Sequence, residues 1–431
     1  MGIINSADAS LSRDFSNPNW ASYNRISYRS GFASDLGLAY QITKEQKYLD
    51  KGRQALLNLD VGGDAPYDMD RAVALRGYAL AYDWIQPGLS STDDTPIRDK
   101  LARLADRTYR DLNGDGTKKT YVSFADYHGQ AYPSVAIAGL ALEDYTNPNR
   151  ISLSSGPEDW TKAGTDYLFV NDELHTYNRP LISYGFDEES GKHLLGSYKT
   201  YVIDDLLWWF QVYSVHYDKN MLEDYPVAKK IVTSELWETL PNGYMNNYVT
   251  SGNTLETYQR GILSLLNDQE KGEMLRYLDQ TKGGDTLLPY SRENDLAPTK
   301  LLYIVYENYN GISRESPEWT SHLDEDAIYQ VFRGGDWEED ADWLSLVTFD
   351  VESNSNRDSA HHDQLSIEYY SRGDLLLADA GETKHVLDTY YGQYGVHHNS
   401  IQIEDPQTPF ATSFWADSQA RGVYKGGCRW Y

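Results

Sequence analysis

Apolar side chains recur at helical spacing through roughly the first 310 residues of this chain. In the stretch RAVALRGYALAYDWI, four of them fall at i, i+3, i+4 and i+7 and form one stripe on a helix: Leu75, Tyr78, Ala79 and Tyr82. The same spacing recurs in two later stripes: Val135, Ala138, Gly139 and Leu142, and Leu206, Trp209, Phe210 and Tyr213. Breakers such as QPGLSSTDD and LPNG separate the stripes, so the pattern predicts about ten or more helices arranged as a closed set of helical hairpins.

At about residue 326 the helical spacing of apolar residues gives way to short stretches typical of β-strands. The stretches AIYQVFRGGDW, WLSLVTFDV, LSIEYYSRGDLLLADAG and HNSIQIED are short, rich in β-branched and aromatic residues, and separated by Gly, Asp and Ser. They predict a second, β-rich domain with SRGD as a hairpin turn, and simple antiparallel register then places Asp379 opposite about Ser366. Because the chain ends at GGCRWY, which reads like the start of another strand, we expect this domain to be incomplete. The predicted boundary separates residues 1–322 from residues 323–431.

Composition excludes several classes of function. The chain carries 38 basic and 65 acidic residues, a net charge of -27, which argues against nucleic acid as a partner because nucleic-acid binding needs a basic footprint. No run of about 18 apolar residues is present, so we expect no membrane span. The single cysteine, Cys428, excludes internal disulfides and a cysteine-based zinc cage. The start, MGIINSADASLSRD, lacks the basic and apolar segments of a signal peptide.

The β-rich region contains a group of potential metal ligands. His361, His362 and His398 lie in it, with Asp379 between them in sequence. Neutral imidazole together with carboxylate suits zinc, and ligands from separate strands would hold a sheet together. The alternative is that paired histidines at strand ends face solvent or cap backbone groups. The sequence contains no compact zinc motif that decides between them.

A second group of polar residues lies in the helical region. His128 stands at the start of the second stripe, where a helix N-terminus would point at a cleft, although a lone histidine there is more often a structural cap. The stretch GFDEESGKHLLGSYKTYV then brings acids, bases and phenols together, including Lys192, Tyr198 and Tyr201. The two tyrosines share a helix face, and neighbouring lysines favour a lowered phenol pKa or an anionic ligand. The alternative is that the acidic residues of this stretch, Asp187 to Glu189, simply face solvent in a loop.

The stretch DLNGDGT resembles the opening of a calcium loop. Asp111, Asn113 and Asp115 alternate as calcium ligands do, and a glycine follows. The twelfth position is Val122 rather than the glutamate that such loops need, so a polar turn between helices is the main alternative.

Taken together, these residues resemble the heparinase II/III-like polysaccharide lyases. AYDWI is similar to a toroid helix motif of that family, DYHGQAY to the NNHG segment of its alginate-lyase relatives, and SYKTY to its Ser-Tyr-x-x-Tyr segment. VFRGGDW resembles the entry into its sheets, and HHDQLSIEYYSRGDLLLADAG followed by HHNSI resembles its H-x-D-x-x-S-F and H-N-T elements. The order and spacing of these segments are more specific than any one of them. The resemblance implies an α + β multidomain protein, an N-terminal (α/α) toroid of helical hairpins followed by an antiparallel β-sandwich, possibly truncated.

The resemblance also implies roles for individual residues. Tyr198 becomes the catalytic base and acid with His128 as its partner, in β-elimination on an acidic, uronate-containing polysaccharide. A structural zinc would be held by His361, Asp379 and His398. Substrate contacts would come from a further set: Tyr127, Tyr132, Lys192, Tyr201, Arg357 and His362. The implied location is secreted, periplasmic or at the cell surface.

Two positions differ from the family pattern and leave two other functions open. Ser359 stands where the family often has a catalytic histidine, and Asp126 precedes Tyr127 where its alginate-lyase relatives have two asparagines. One alternative is an (α/α) toroid glycoside hydrolase, which would use two carboxylates from Asp126 and Asp187 to Glu189 as acid and base. The other is a surface carbohydrate-binding protein without turnover.

Overall fold

The computed structural model describes most of the helical region and parts of the β-rich region. The described residues are 2–16, 26–59, 68–112, 127–171, 180–192, 199–243, 263–280, 311–318, 321–322, 329–334, 337–347 and 367–378. The α-helices within these ranges are α1 (Gly2–Leu11), α2 (Ile26–Thr43), α3 (Gln46–Leu57), α4 (Asp68–Ile85), α5 (Ser91–Leu112), α6 (Tyr127–Ala141), α7 (Pro157–Ala163), α8 (Lys199–Tyr217), α9 (Met221–Asp224), α10 (Pro226–Thr233), α11 (Glu235–Glu238) and α12 (Asp268–Gln280).

The first eight helices alternate between two layers. In the inner layer α2 packs on α4, α4 on α6, and α6 on α8. The outer layer consists of α1, α3, α5 and α7, and each of these helices packs on a neighbour in the inner layer. The inner helices α2, α4 and α6 are therefore each followed in the chain by an outer helix, which is the arrangement of successive helical hairpins.

The residue types explain which helices lie inside. The outer helix α5 is amphipathic: Leu101 and Leu104 are fully buried, whereas Arg103 between them is exposed. The three predicted stripes lie on the inner helices α4, α6 and α8, except that Leu142 directly follows α6, and all twelve stripe residues are buried. The predicted helical stripes are thus confirmed, since each of them faces the core.

Among the described residues, five strands form one antiparallel sheet in the order β1-β2-β3-β4-β5. They are β1 (Ser321–His322), β2 (Tyr329–Arg333), β3 (Trp343–Val347), β4 (Ile367–Ser371) and β5 (Asp374–Leu377). Arg372 and Gly373 join β4 to β5 with φ of 56° and 87°, as a two-residue hairpin turn with two positive φ angles requires. The predicted SRGD turn is confirmed, but a bulge between Tyr369 and Tyr370 shifts the simple register by one residue. β1 precedes the predicted boundary and yet pairs with β2, and the boundary stays a prediction.

The sheet is attached to the helical part through α11 and the turn that follows it. Arg333 on β2 donates to the carbonyl oxygens of Leu236, at 3.2 Å, and Thr239. The indole Nε1 of Trp343 on β3 donates to the carbonyl of Trp237 at 3.1 Å. Around these bonds Trp343 packs in a small core of its own, with Leu240, Val331 and Tyr370.

The described part of the chain is thus mostly helical with a small antiparallel sheet, and the predicted succession of helices and then strands is confirmed. Among the described helices, none combines the length and the apolar character needed to cross a bilayer.

Candidate functional site

The helices α6 and α8 run in parallel, so they begin at the same end of the inner layer. Ser134 on α6 donates to Asp205 on α8 at 2.8 Å, 71 residues later in the chain. Further along both helices, Ala136 on α6 and Trp209 on α8 both lie against Gly164, the residue that directly follows α7. The same offset of 71 residues places position 128, near the start of α6, level with Lys199, the first residue of α8.

The helix α4 is aligned with the other two by a buried ion pair, and it runs in the same direction as α8 because the rings of Trp84 and Trp208, further along the two helices, are 6.3 Å apart. Arg76 lies 2.8 Å from Asp205, and the side chains of the two residues are 3% and 1% exposed. Asp205 therefore accepts from Ser134 and pairs with Arg76 at once, which ties α4, α6 and α8 together at one level. A buried carboxylate needs such partners, because without them its desolvation would cost several kcal/mol. About six residues separate this level from the start of α6 and α8, or roughly 9 Å of helix.

A second buried arginine lies near the end at which α6 and α8 begin. Arg71 is in the first turn of α4, about 7.5 Å of helix before Arg76. Its side chain is 1% exposed and forms an ion pair with Asp111, in the last turn of α5. Asp111 is the first residue of the predicted calcium loop, and in this structure its carboxylate contacts a guanidinium group. Asn113 and Asp115 lie outside the described residues.

The segment before α8 contains a tight turn in which the acidic residues have structural partners. Asp187 accepts hydrogen bonds from the backbone N–H of Ser190, at 3.0 Å, and from its hydroxyl. Glu189 forms an ion pair with Lys230 on α10 at 2.9 Å, and Lys230 also donates to the carbonyl of Glu188. These contacts make Asp187 and Glu189 parts of the turn and its anchor, which weakens the case for them as a catalytic acid and base.

Gly191 brings the turn into direct contact with α10. Its φ is +74°, and a Cβ at this position would overlap main-chain atoms of Lys230. We expect Gly191→Ala to lower the free energy of unfolding by about 2–4 kcal/mol, because it combines a left-handed backbone with overpacking against main chain. Gly373→Ala is the matched control, since Gly373 has a φ of +87° but nothing within 4 Å of the added Cβ. Equal losses for the two variants in urea denaturation would contradict the role given to the contact with Lys230.

Two predicted substrate-binding residues have described side chains, and both are buried. Tyr132 has no exposed surface and belongs to the helical core, so this structure gives it a packing role and argues against direct contact with a substrate. Lys192 is 5% exposed and follows the Gly191 turn.

The remaining predicted site residues are described in part or not at all. For three of them only the position in a helix is described: Tyr127 and His128 begin α6, and Tyr201 lies in the first turn of α8. The others lie outside the described residues: Tyr198, Arg357, His361, His362, Asp379 and His398. Within the described ranges, no group of three His, Cys, Asp or Glu side chains could hold a metal ion. The predicted zinc and calcium sites stay predictions.

Arg71 and Arg76 were missed by the reading of the sequence. Both stand in a helix whose other buried positions are almost all apolar, within RAVALR, and neither belongs to a catalytic motif. The signal that could have identified them is a charged residue on the face of a helix that the apolar stripe predicts to be buried. A buried charge of this kind requires a partner from another element, as Asp111 and Asp205 are here.

The opposite end of α6 and α8 has an aromatic cleft with a volume of about 420 Å³. Tyr213, Tyr217 and Tyr225 line it. Burial raises the pKa of all three phenols, and for Tyr213 a 2.9 Å hydrogen bond to Asp224 raises it further. A raised pKa keeps a phenol protonated at neutral pH, so these tyrosines are poor general bases.

No protein-family model and no curated protein matches the chain, but solved structures do. A heparinase III with methylated lysines is 13% identical, has a TM-score of 0.51, and is matched over 87% of this chain and 55% of its own. The heparan sulfate lyase HepC from Pedobacter heparinus is 12% identical with a TM-score of 0.53, matched over 99% of this chain and 59% of its own. A mutant of HepC is 11% identical with a TM-score of 0.52, matched over 92% and 59%.

These similarities concern the fold. The chain spans less than two thirds of the length of each of these proteins. At 11–13% identity, the likeness shows that the mostly helical body and its small sheet follow the architecture of heparan sulfate lyases. Activity does not follow from fold alone and has to be argued from the site.

Proposed function

We propose that this chain is a polysaccharide lyase that cleaves a uronate-containing acidic polysaccharide by β-elimination, with Tyr198 as base and acid and His128 as its partner. The observation that carries the proposal is the alignment of α6 and α8: position 128 is level with the first residue of α8, and Tyr198 directly precedes that residue. On this basis we propose that His128 and Tyr198, which are 70 residues apart in the sequence, lie at the same end of the inner layer. The likeness to heparan sulfate lyases over 99% of the chain supports the same reaction class.

The charges at this end suit an acidic substrate. The N-termini of α4, α6 and α8 meet there, and each helix N-terminus carries a partial positive charge that favours anions. Arg71 adds a guanidinium near the same end, although it is buried and paired with Asp111. A uronate carboxylate placed there would be partly neutralised, which is the condition for removing the neighbouring C5 proton.

The proposed reaction has two proton transfers. The Tyr198 phenolate takes the proton from C5, and the electron pair left on C5 is delocalised into the neutralised carboxylate. The C4–O bond then breaks as the C4–C5 double bond forms, and the phenol returns the proton to the departing oxygen. His128 would take the phenol proton before the first step or neutralise the carboxylate.

The finer features of the fold belong to the same proposal. The two layers of helices would form an arc of an (α/α) toroid, and the five strands would form one sheet of a β-sandwich. His361, Asp379 and His398 would hold a structural zinc in the β-rich region, since two imidazoles and a carboxylate are a donor set that zinc accepts. We further propose that the protein is secreted, periplasmic or at the cell surface, because acidic polysaccharides are met outside the cytoplasm.

The test is a panel of polymers. Alginate, heparan-type, hyaluronan-type and ulvan-type polysaccharides are incubated with the protein, and the near-ultraviolet absorbance of the conjugated product is followed. We expect absorbance to rise with at least one polymer. New reducing ends without absorbance would indicate hydrolysis instead, and no change with any polymer would count against catalysis on uronates.

A further inference from the structure

The outer face of α5 carries a row of arginines. Arg103, Arg107 and Arg110 are spaced at i, i+4 and i+7, so they share one face of the helix. Arg103 and Arg110 are exposed, and Arg107 is partly exposed. Together with Asp106 and Ser152 they line an open cleft with a volume of about 360 Å³.

Among the described residues that line this cleft, the carboxylate of Asp106 already has hydrogen-bond partners. A single oxygen of Asp106 accepts from the backbone N–H and the hydroxyl of both Ser154 and Ser155, at 2.8 to 2.9 Å. Arg110 contacts its other oxygen at 3.0 Å. Although burial raises the pKa of Asp106, these hydrogen bonds outweigh it and hold the pKa below its usual value. The carboxylate of Asp106 is therefore ionised, and both of its oxygens already accept hydrogen bonds, so it contributes little to the binding of Arg103 and Arg107.

Arg103 and Arg107 have no ion-pair partner in the part of the chain that the structure describes. By contrast, Arg98 on the same helix pairs with Asp144. The cleft thus keeps a local excess of positive charge on a strongly acidic molecule, and it can receive an anionic ligand.

The row also leads toward the proposed site. α5 runs antiparallel to α4, because Asp111 pairs with Arg71 at one end while Asp94 accepts from Tyr82 at the other. Arg110 directly precedes Asp111, so the row ends beside the end of the inner layer at which α6 and α8 begin. From Arg103 to Arg110 it covers about 10 Å of helix, a length comparable with two linked sugar rings.

We propose that Arg103, Arg107 and Arg110 form a second binding site for an acidic polysaccharide, which holds the polymer on the outer layer and directs it toward the α4, α6 and α8 N-termini. The choice of ligand class rests on the proposed function. Guanidinium groups bind carboxylates and sulfates through paired hydrogen bonds, which a flexible polymer can satisfy at successive sugars. A nucleic-acid duplex fits less well, since a single row of three charges on a molecule of net charge -27 is a small basic footprint.

The test compares two variants with the same change in charge. Arg103→Gln with Arg107→Gln removes two members of the row, and Lys44→Gln with Lys51→Gln removes two exposed or partly exposed cations from the α2–α3 region. Binding of the full chain to immobilised heparin and alginate is measured in a Tyr198→Phe background, which keeps the polymers intact. We expect the arginine variant to bind at least one polymer about tenfold more weakly, and the lysine variant to stay within about twofold of the parent.

Three results would overturn the site: no binding of either polymer by the parent, unchanged binding by the arginine variant, or equal weakening by the lysine variant. Tighter binding of a 20-base-pair DNA duplex than of both polymers would overturn the ligand class. Circular dichroism establishes that both variants are folded, as expected for surface substitutions. Because the readout is binding without turnover, a failure of the elimination reaction and a failure of this site are seen separately.

Discussion

Replacing Tyr198 by phenylalanine is expected to lower kcat for polysaccharide cleavage by about 10²- to 10⁴-fold, the range that a positioned acid or base contributes. The change removes only the phenol oxygen, so the ring keeps its shape while both proton transfers lose their carrier. The measurement is the initial rate of absorbance increase with whichever polymer the wild type cleaves.

Tyr217→Phe is the matched control for this prediction. It makes the same chemical change on the last residue of α8, at the aromatic cleft, where the side chain is 40% exposed and burial raises the pKa of the phenol. Its rate should stay within about twofold of the wild type, as for a surface substitution away from the reaction. A Tyr198→Phe variant with wild-type rates would remove Tyr198 from the mechanism, whereas equal losses for both variants would indicate a general effect of removing a phenol from the protein.

Replacing Asp205 by alanine is expected to lower the free energy of unfolding by about 3–5 kcal/mol. The substitution leaves the guanidinium of Arg76 buried without its counter-charge and takes away the acceptor of Ser134. Since this cross-link sets the relative height of α4, α6 and α8, the variant should also lose activity if position 128 and the start of α8 act together. The midpoint and slope of urea denaturation measure the first effect.

Two controls separate the buried charge from the lost contact. Asp50→Ala on α3 removes an exposed carboxylate and should change stability by about 0.5 kcal/mol or less. Arg76→Met combined with Asp205→Leu removes both charges and fills the space with apolar atoms, so it should be more stable than Asp205→Ala alone. If the double variant were less stable than the single one, the cost would come from packing and the electrostatic account would be wrong.

The local parts of the fold could be predicted from the sequence. A helical stripe such as Leu75 to Tyr82 is set by neighbours three and four residues apart, so its burial in α4 follows from a short stretch of chain. The same holds for the SRGD turn, because a glycine in a short polar break between two strand-like stretches indicates a hairpin. The bulge at Tyr369 and Tyr370 was not predictable in this way, since it depends on pairing with β5.

For the candidate site, too, some features could be predicted from the sequence and others could not. Its residue types were visible in the sequence, and His128 and Tyr198 were selected by their motifs. The burial of Tyr132 could not be predicted, because its position next to the motif does not indicate which side of α6 faces the core. The sequence could not show that Arg71 pairs with Asp111, nor that Arg103 and Arg107 have no ion pair within the described ranges, since such contacts depend on which distant helices become neighbours.

Periodicity and composition over a few turns of chain were enough to indicate the helical stripes, the strand-like stretches and the chemical groups that they carry. The meeting of Arg76, Ser134 and Asp205 at one level, and the common end at which α6 and α8 begin, became known from the three-dimensional structure. A buried charge can be stabilised by any partner that the fold brings within reach, and stripes of apolar residues do not specify which helices become neighbours.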